Sequence, residues 1–133
     1  MIFDEQHKSQ PISRLQVNEA FKRVKANKGT SGVDGISIEQ VAQNPRKYLY
    51  PLWNRMSSGS YFPKPVRQVL IPKGDGKMRP LGIPTIVDRV AQQVIASELE
   101  AVVDKHFHPS SYGYRPNKSA HEAIEQCRIN CMK

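Results

Sequence analysis

The chain has 133 residues, a formal net charge of +8, 38% hydrophobic residues and 24% charged residues. This length fits one domain of common size, and the composition excludes a disordered tail. The apolar runs are much shorter than the roughly 20 residues that cross a bilayer, and the acidic start Met1–Glu5 lacks the layout of a signal peptide. Two cysteines cannot form a disulfide scaffold, so the expected location is the reducing cytoplasm.

Positive charge is concentrated between Pro45 and Pro80, where eight basic residues stand against one acid and the net charge is +7. Such a patch is typical of a polyanion partner, most often nucleic acid. The same window contains aromatic residues that can stack on bases, namely Tyr48, Tyr50, Trp53, Tyr61 and Phe62. The alternative is a solvated face that keeps the protein in solution. A membrane surface fits less well, because the basic residues do not follow one amphipathic helix.

The sequence predicts a flexible N-terminal arm over residues 1–12. Ser13 is a favourable N-cap, and the apolar spacing after it predicts a helix that runs to about Asn27. Its apolar positions are Val17, Ala20, Phe21 and Val24. The next segment, Lys28–Gly35, contains three glycines and is predicted to be a loop. It is not a P-loop, because it lacks the Gly-Lys-Ser/Thr sequence at the required offset.

Two further helices are predicted ahead of the strands. Ser37 and Gln40 form a capping-box pattern for a short helix. Asn44 followed by Pro45 is typical of the start of another, since proline suits the first helical position. The apolar stripe of this third helix is Leu49, Leu52, Trp53 and Met56.

A β-hairpin is predicted next. Two β-rich runs, Val66–Pro72 and Met78–Ile83, flank the turn Lys73–Lys77, and Asp-Gly between such runs favours a hairpin. Prolines in and beside the runs indicate a sheet edge or irregular strand ends.

Thr85 predicts the start of a long helix that reaches about Val103, followed by a loop over 104–117. The positions expected on its buried side are Val87, Val90, Ala91, Val94, Ile95, Leu99 and Val102. Ser119 and Glu122 predict the cap of a last helix. Its apolar stripe is Ala120, Ile124, Cys127 and Cys131. Together these elements predict an α+β fold in which helices pack around the hairpin.

The candidates for metal chemistry are weak. Cys127 and Cys131 can be combined with a histidine into a metal site, but no CxxC or HxxxH pair is present. Two small buried residues on an apolar stripe are the simpler interpretation. Two-metal phosphoryl transfer needs carboxylates held close together, whereas the acids here are scattered. Asp88 is interpreted as a complement to a helix dipole. We therefore predict no metal site and no catalytic residue in this chain.

Three cations spaced six residues apart make the hairpin the best candidate site. Arg67 and Arg79 lie on opposite predicted strands, and Lys73 lies at the tip. The hairpin can bring them around one triphosphate or along one nucleic-acid backbone, since Arg offers a bidentate fork and Lys a point charge. A charged edge hairpin that prevents aggregation explains the pattern alone equally well.

Five segments, in this order, resemble the N-terminal part of group II intron-encoded reverse transcriptases, also called maturases. The segments are Asn27–Gly35, Tyr61–Arg67, Ile71–Pro84, Asp88–Gln92 and Ser111–Pro116. The resemblance covers about residues 13–130. It implies the fingers region and the start of the palm of a right-hand polymerase, which would make residues 13–133 an incomplete, truncated portion of a longer enzyme.

The resemblance also implies roles for individual residues. The positions that match Lys73 and Arg79 bind the triphosphate of the incoming nucleotide in that family, and Arg67 lies beside them. The loop that matches Lys28–Gly35 contacts the template, and Ser111–Pro116 helps to line the template–primer cleft. The nucleic-acid-binding residues expected on these grounds are Lys28, Gly29, Thr30, Ser31, Lys64, Lys77, Tyr112 and Arg115.

The metal-binding aspartates of the family follow the segment that matches Ser119–Cys131. The resemblance therefore implies Mg²⁺ only for the full-length enzyme, with template RNA, intron RNA and dNTP as its partners. We expect no membrane partner and no polymerisation by the chain alone. Two alternatives remain: an RNA-binding module without catalysis, and an inert remnant that self-associates through surface exposed by truncation.

Overall fold

Five α-helices and one β-hairpin form the part of the chain that the structure, a computed structural model, describes, namely residues 12–132. The elements are α1 (Arg14–Asn27), α2 (Ile38–Gln43), α3 (Pro45–Ser58), β1 (Arg67–Pro72), β2 (Met78–Ile83), α4 (Ile86–Val103), a 3-10 turn (Asp104–His106) and α5 (Ala120–Cys131). Two compact units divide the chain, the first ending at Ile95 and the second beginning at Ala96. The predicted arm 1–12 lies outside the described residues except for Ile12.

The helices begin where the capping signals in the sequence place them. Three serines cap α1, α2 and α5, and each serine oxygen and the side chain three residues later bond the other's backbone N–H. The pairs are Ser13–Gln16, Ser37–Gln40 and Ser119–Glu122. Pro45 is the first residue of α3, and Gly59 ends that helix in the left-handed region at φ 75°. These predicted helix starts are confirmed.

Side chains from four helices form the core of the first unit. The buried apolar residues are Val17, Ala20, Phe21 and Val24 of α1, Ile38 and Val41 of α2, Leu49, Leu52 and Met56 of α3, and Ile86, Val90, Ala91 and Val94 of α4. The α+β class is confirmed. The prediction that helices pack around the hairpin is wrong, because the hairpin supplies none of the buried core residues in the described chain. Two strands alone offer too little apolar surface to organise a core, so the helices pack on one another.

The hairpin has the predicted bounds except that β1 begins at Arg67 and not at Val66. Its register is antiparallel, with Arg67 opposite Ile83 and Arg79 opposite Ile71. Since side chains alternate between the two faces of a strand, Arg67 and Arg79 lie on the same face. Four residues separate their positions along the strand, which corresponds to about 13 Å. Pro80 lies within β2, as a two-stranded sheet allows, because both of its strands are edges.

The second half of α4 and all of α5 expose side chains that the sequence pattern predicts to be buried. Ile95 and Leu99 are 50% and 45% exposed, and Ile124 is 67% exposed. Cys127 and Cys131 are also exposed, so their interpretation as buried residues is wrong. Helical periodicity marks an apolar face, but burial also requires an element that covers the face. None of these stretches spans a membrane, since no described helix is both long and apolar enough.

Candidate nucleic-acid interface

Two arginines hold the glycine-rich loop against the hairpin and α4. Arg67 Nη2 donates to Thr30 Oγ1 at 3.3 Å, and Arg89 Nη2 donates to the Thr30 carbonyl. Arg67 begins β1, and Arg89 lies in the first turn of α4. Burial lowers the pKa of Arg89, and the positive charge of Arg67 lowers it further. The loop, the hairpin and α4 therefore meet around two like charges, an arrangement that favours a bound anion.

Two glycines allow the loop to approach these elements closely. Gly32 is buried, and a Cβ there would lie 2.6 Å from the Cα of Thr85. Gly29 has a φ of 125°, and a Cβ there would lie 2.7 Å from Nη1 of Arg89. Only glycine combines this backbone conformation with such close contact. The loop thus packs closely within the first unit, with Thr30 in contact with both arginines.

Asp88 joins the segment before β1 to the first turn of α4. Its carboxylate, in a residue that is 4% exposed, accepts hydrogen bonds from the Tyr61 hydroxyl and, at 3.0 Å, from the backbone N–H of Lys64. Its own N–H donates to Thr85 Oγ1 at 3.2 Å, which caps α4 as predicted. Burial and the neighbouring carboxylate raise the pKa of Tyr61. The interpretation of Asp88 as a mere dipole complement is therefore incomplete, because its side chain fixes the base of the hairpin.

Lys64 connects this segment to the glycine-rich loop. Its Nζ lies 3.8 Å from Oδ2 of Asp34, whose other carboxylate oxygen accepts the backbone N–H of Ile36 at 3.1 Å. The Lys64 side chain is 59% exposed, so this ion pair contributes little to stability. The ammonium group remains accessible to a phosphate at the edge of the loop.

The hairpin turn presents its basic residues to solvent. The Lys73 N–H donates to the Lys77 carbonyl at 2.6 Å, and the Lys77 N–H donates to Asp75 Oδ1 at 3.2 Å. These hydrogen bonds use only the backbone of the two lysines, and both lysine residues are exposed. Arg79 is exposed on the face it shares with Arg67. The structure thus brings Arg67 and Arg79 onto one surface, while nucleotide binding by these residues and Lys73 stays a prediction.

The second unit contains the other two predicted nucleic-acid contacts, Tyr112 and Arg115. The Arg115 side chain is 9% exposed, and Nε donates to Asp104 Oδ1 at 2.8 Å. Its remaining donors reach backbone carbonyls, with Nη1 on Ser111 and His108 and Nη2 on Asp104. This guanidinium closes the loop that follows α4, whereas Tyr112 is half-buried with Lys118 above its ring. An RNA contact by either residue stays a prediction.

Sequence reasoning assigned no role to Arg89, although the residue lies within a segment that carries the family resemblance. One signal was available. A cation in the first turn of a helix opposes the helix dipole, so a residue there needs another reason to be present. In the structure that reason is the Thr30 carbonyl, which Arg89 holds from α4.

The described side chains do not fit a catalytic magnesium centre. Carboxylates are the ligands that Mg²⁺ prefers, yet Asp88 is occupied by Tyr61 and Asp104 by Arg115. Among residues 12–132 there is no group of three histidine, cysteine or carboxylate side chains that can hold a metal ion.

Comparison with known proteins finds one matching family profile and several proteins of similar sequence. The profile of the family described as reverse transcriptase (RNA-dependent DNA polymerase) matches residues 71–132. Protein YkfC of Escherichia coli is 39% identical over 113 residues, which cover 84% of this chain and 30% of that protein. The group II intron-encoded protein LtrA of Lactococcus lactis is 36% identical over 114 residues, covering 80% of this chain and 18% of LtrA. A putative COX1/OXI3 intron 1 protein of Saccharomyces cerevisiae is 34% identical over 109 residues, covering 82% of this chain and 13% of that protein.

Residues 71–132, just under half of the chain, match the reverse transcriptase family. Over about four fifths of its length the chain is similar to proteins that introns encode, among them the group II intron-encoded protein LtrA and the putative yeast COX1/OXI3 intron 1 protein. It spans less than a third of the length of each of these relatives.

Proposed function

We propose that this chain binds template RNA and the triphosphate of an incoming deoxynucleotide for an RNA-directed DNA polymerase of the group II intron type. The template would lie along the loop Lys28–Ser31, and the triphosphate would lie against Lys73, Arg79 and Arg67. The observation that carries the proposal is the double role of Arg67, which contacts Thr30 of the loop and shares a hairpin face with Arg79. One residue thus connects the surface for the template to the surface for the nucleotide.

Charge supports this assignment. The guanidinium groups of Arg67 and Arg89 meet at a neutral threonine, and the pKa of Arg89 is lowered by burial and by Arg67. A phosphate between or beside them would relieve the repulsion and accept bidentate hydrogen bonds. Lys64 and Lys77, both exposed, would add contacts along an RNA backbone.

In the polymerase, this chain corresponds to the fingers and the start of the palm of a right hand, and intron RNA is a further partner. The metal-binding carboxylates would come from residues beyond those described, with this chain positioning the triphosphate and neutralising its charge. The chain by itself would bind nucleic acid without extending a primer. We also propose a cytoplasmic location, because two cysteines are too few for a disulfide scaffold.

Salt-dependent RNA binding tests the proposal. The affinity of the chain for fluorescein-labelled single-stranded RNA is measured by anisotropy over a series of salt concentrations. The affinity for dGTP is measured separately by isothermal titration calorimetry, with deoxyguanosine as the comparison that lacks phosphates. Phosphate contacts predict a linear fall of log affinity with log salt, and Arg67→Ala should reduce the slope by about one contact. We expect dGTP to bind through the hairpin and Arg79→Ala to weaken its binding, with deoxyguanosine inactive.

Matched controls come from the chain itself. Lys105→Ala removes one charge from the second unit, in the 3-10 turn and outside the proposed surface, and should leave both affinities unchanged. Equal binding of dGTP by the Arg79→Ala variant and the unchanged chain would remove the nucleotide assignment. RNA affinity that does not depend on salt would remove the template assignment.

A further inference from the structure

A second basic and aromatic surface lies between α1 and α3, on elements that the proposed template and nucleotide sites do not use. It is a cavity of about 230 Å³. Two arginines, two aromatic rings and several apolar side chains are among the residues that line it. The residues that matter here are Arg14, Arg46, Tyr50, Trp53, Val17 and Leu49.

Contacts among these side chains fix the aromatic wall. The ring centroids of Tyr50 and Trp53 lie 5.6 Å apart with an interplanar angle of 48°. The Arg14 guanidinium carbon lies 4.6 Å from the Trp53 ring centroid and 5.3 Å from that of Tyr50. Trp53 Nε1 donates to the Ile12 carbonyl at 2.8 Å, which prevents the indole from turning away. A planar guanidinium over two rings is a stacking platform that exists before any ligand arrives.

The charge of the cavity selects an anionic ligand. Both charged residues that line it, Arg14 and Arg46, are basic, and no acidic residue is among its described lining residues. Arg46 is the second residue of α3, where the helix dipole also favours a negative group. The positive window of the sequence therefore divides between two places, the hairpin and the start of α3.

We infer that this cavity binds one unpaired nucleotide of an RNA strand, with the base stacked on the Arg14–Tyr50–Trp53 wall and the phosphate held by Arg46. Pockets for drug-sized ligands enclose roughly 300–1,000 Å³, so a smaller cavity suits one ring system rather than a whole cofactor. Bases of single-stranded RNA are recognised in this way, by stacking on aromatic rings or guanidinium planes beside a basic groove. A paired base is excluded, because its faces are covered by its neighbours in the helix.

The inference shares RNA as its partner with the proposed function but uses none of the same residues. Trp53 is the only tryptophan of the chain, so its fluorescence reports on this cavity alone. The titration adds a short oligouridylate to the whole chain, and inorganic phosphate in a parallel arm. We expect a saturable change in Trp53 emission with the oligouridylate and none with phosphate.

Charge reversal at two neighbouring positions distinguishes binding in the cavity from nonspecific electrostatic attraction of RNA to the chain. Arg46→Glu should weaken binding on the order of tenfold, whereas Lys47→Glu, next in the same helix turn but outside the cavity lining, should change it less than about threefold. Acidic residues are favourable in the first turn of a helix, so both variants should fold. Equal losses in the two variants, or the same emission change with phosphate alone, would overturn the inference.

Arg79→Glu distinguishes this site from the hairpin. The Trp53 titration should be unchanged in this variant, and abolition of the signal there would show that the cavity is not a separate site. If the proposed function is wrong, the dGTP affinity will be unchanged in Arg79 variants. That result would not alter the Trp53 fluorescence titration, so the two failures can be told apart.

Discussion

The Tyr61 hydroxyl donates a hydrogen bond to the buried carboxylate of Asp88, and this contact joins the segment that leads into β1 to the first turn of α4. The same carboxylate accepts the Lys64 N–H at 3.0 Å. Because Arg67 follows Lys64 by three residues, Asp88 sets where the hairpin leaves the helical core. The contact between Tyr61 and Asp88 thus helps to set the position of Arg67 relative to α4.

Tyr61→Phe should lower the free energy of unfolding by about 1–3 kcal/mol, since it leaves a buried carboxylate with one partner fewer. Urea unfolding followed by circular dichroism measures this change. Tyr50→Phe is the matched control, because Tyr50 is 46% exposed and its loss of a hydroxyl should cost much less. A Tyr61→Phe variant as stable as the unchanged chain would show that the carboxylate is satisfied without the phenol.

The same pair should make stability depend on alkaline pH. Burial and then the hydrogen bond to Asp88 raise the pKa of Tyr61 above its ordinary value of 10.0. The stabilisation from this shift is complete below about pH 10 and is lost as pH rises further, because the unfolded chain then releases a proton that the folded chain keeps. The stability difference between the unchanged chain and Tyr61→Phe should therefore shrink above about pH 10. A difference that stays constant from neutral to alkaline pH would contradict the shift.

The sequence predicts local structure well here, because each signal depends on neighbouring residues. Ser13 with Gln16 is enough to begin a helix, and Asp75 with Gly76 is enough to favour the hairpin turn. Long-range contacts leave no comparable signal. The carboxylate of Asp88 reaches Tyr61, 27 residues earlier, and a first-turn acid looks the same in sequence whether it faces solvent or is buried.

The limits of periodicity appear in α5. The apolar residues of α5 lie on one stripe of the helix as the sequence predicts, but Ile124 and both cysteines of that stripe are exposed. A sequence pattern shows which face can be buried and not whether another element covers it. Arg67 and Arg79 illustrate the opposite case, since the hairpin register follows from the turn, and the register places both on one face.

Gly32→Ala should destabilise the first unit by about 1–3 kcal/mol through overpacking, because the new Cβ would lie 2.6 Å from Thr85 Cα and 2.7 Å from its nitrogen. Backbone atoms at the start of α4 cannot move aside as a flexible side chain does. Gly74→Ala is the control, since a Cβ there meets no described atom within 4 Å. Urea midpoints compare the two variants, and equal midpoints would show that the loop is not packed against α4.

Arg115→Ala should reduce the free energy that stabilises the loop after α4 by about 1.5–3 kcal/mol, the range for hydrogen bonds that involve a charged group. The reason is that Asp104 and the backbone carbonyls bound by Arg115 lose their donor. Arg115→Lys should not restore the loss, since an ammonium lacks the planar fork that reaches these acceptors. Amide hydrogen exchange over residues 104–117 measures the effect locally. The control, Arg128→Ala, removes an exposed pair with Glu125 and should leave exchange in this loop unchanged. Full protection in Arg115→Lys would contradict the argument from geometry.

Arg89→Ala should loosen the glycine-rich loop without unfolding the core, because it removes the donor to the Thr30 carbonyl from a side chain at the surface of the first unit. Local opening should speed amide exchange at Gly35 and Ile36, whose N–H groups are bonded within the loop, while the β1–β2 amides keep their protection. Thr30→Val should have a smaller effect, since it removes only the 3.3 Å contact with Arg67 and keeps the carbonyl. Arg55→Ala on α3 is the control for loss of one positive charge. Amide hydrogen exchange followed by NMR measures these rates. Unchanged rates at Gly35 and Ile36 in Arg89→Ala would contradict the prediction and show that the packing of Gly32 is enough to hold the loop.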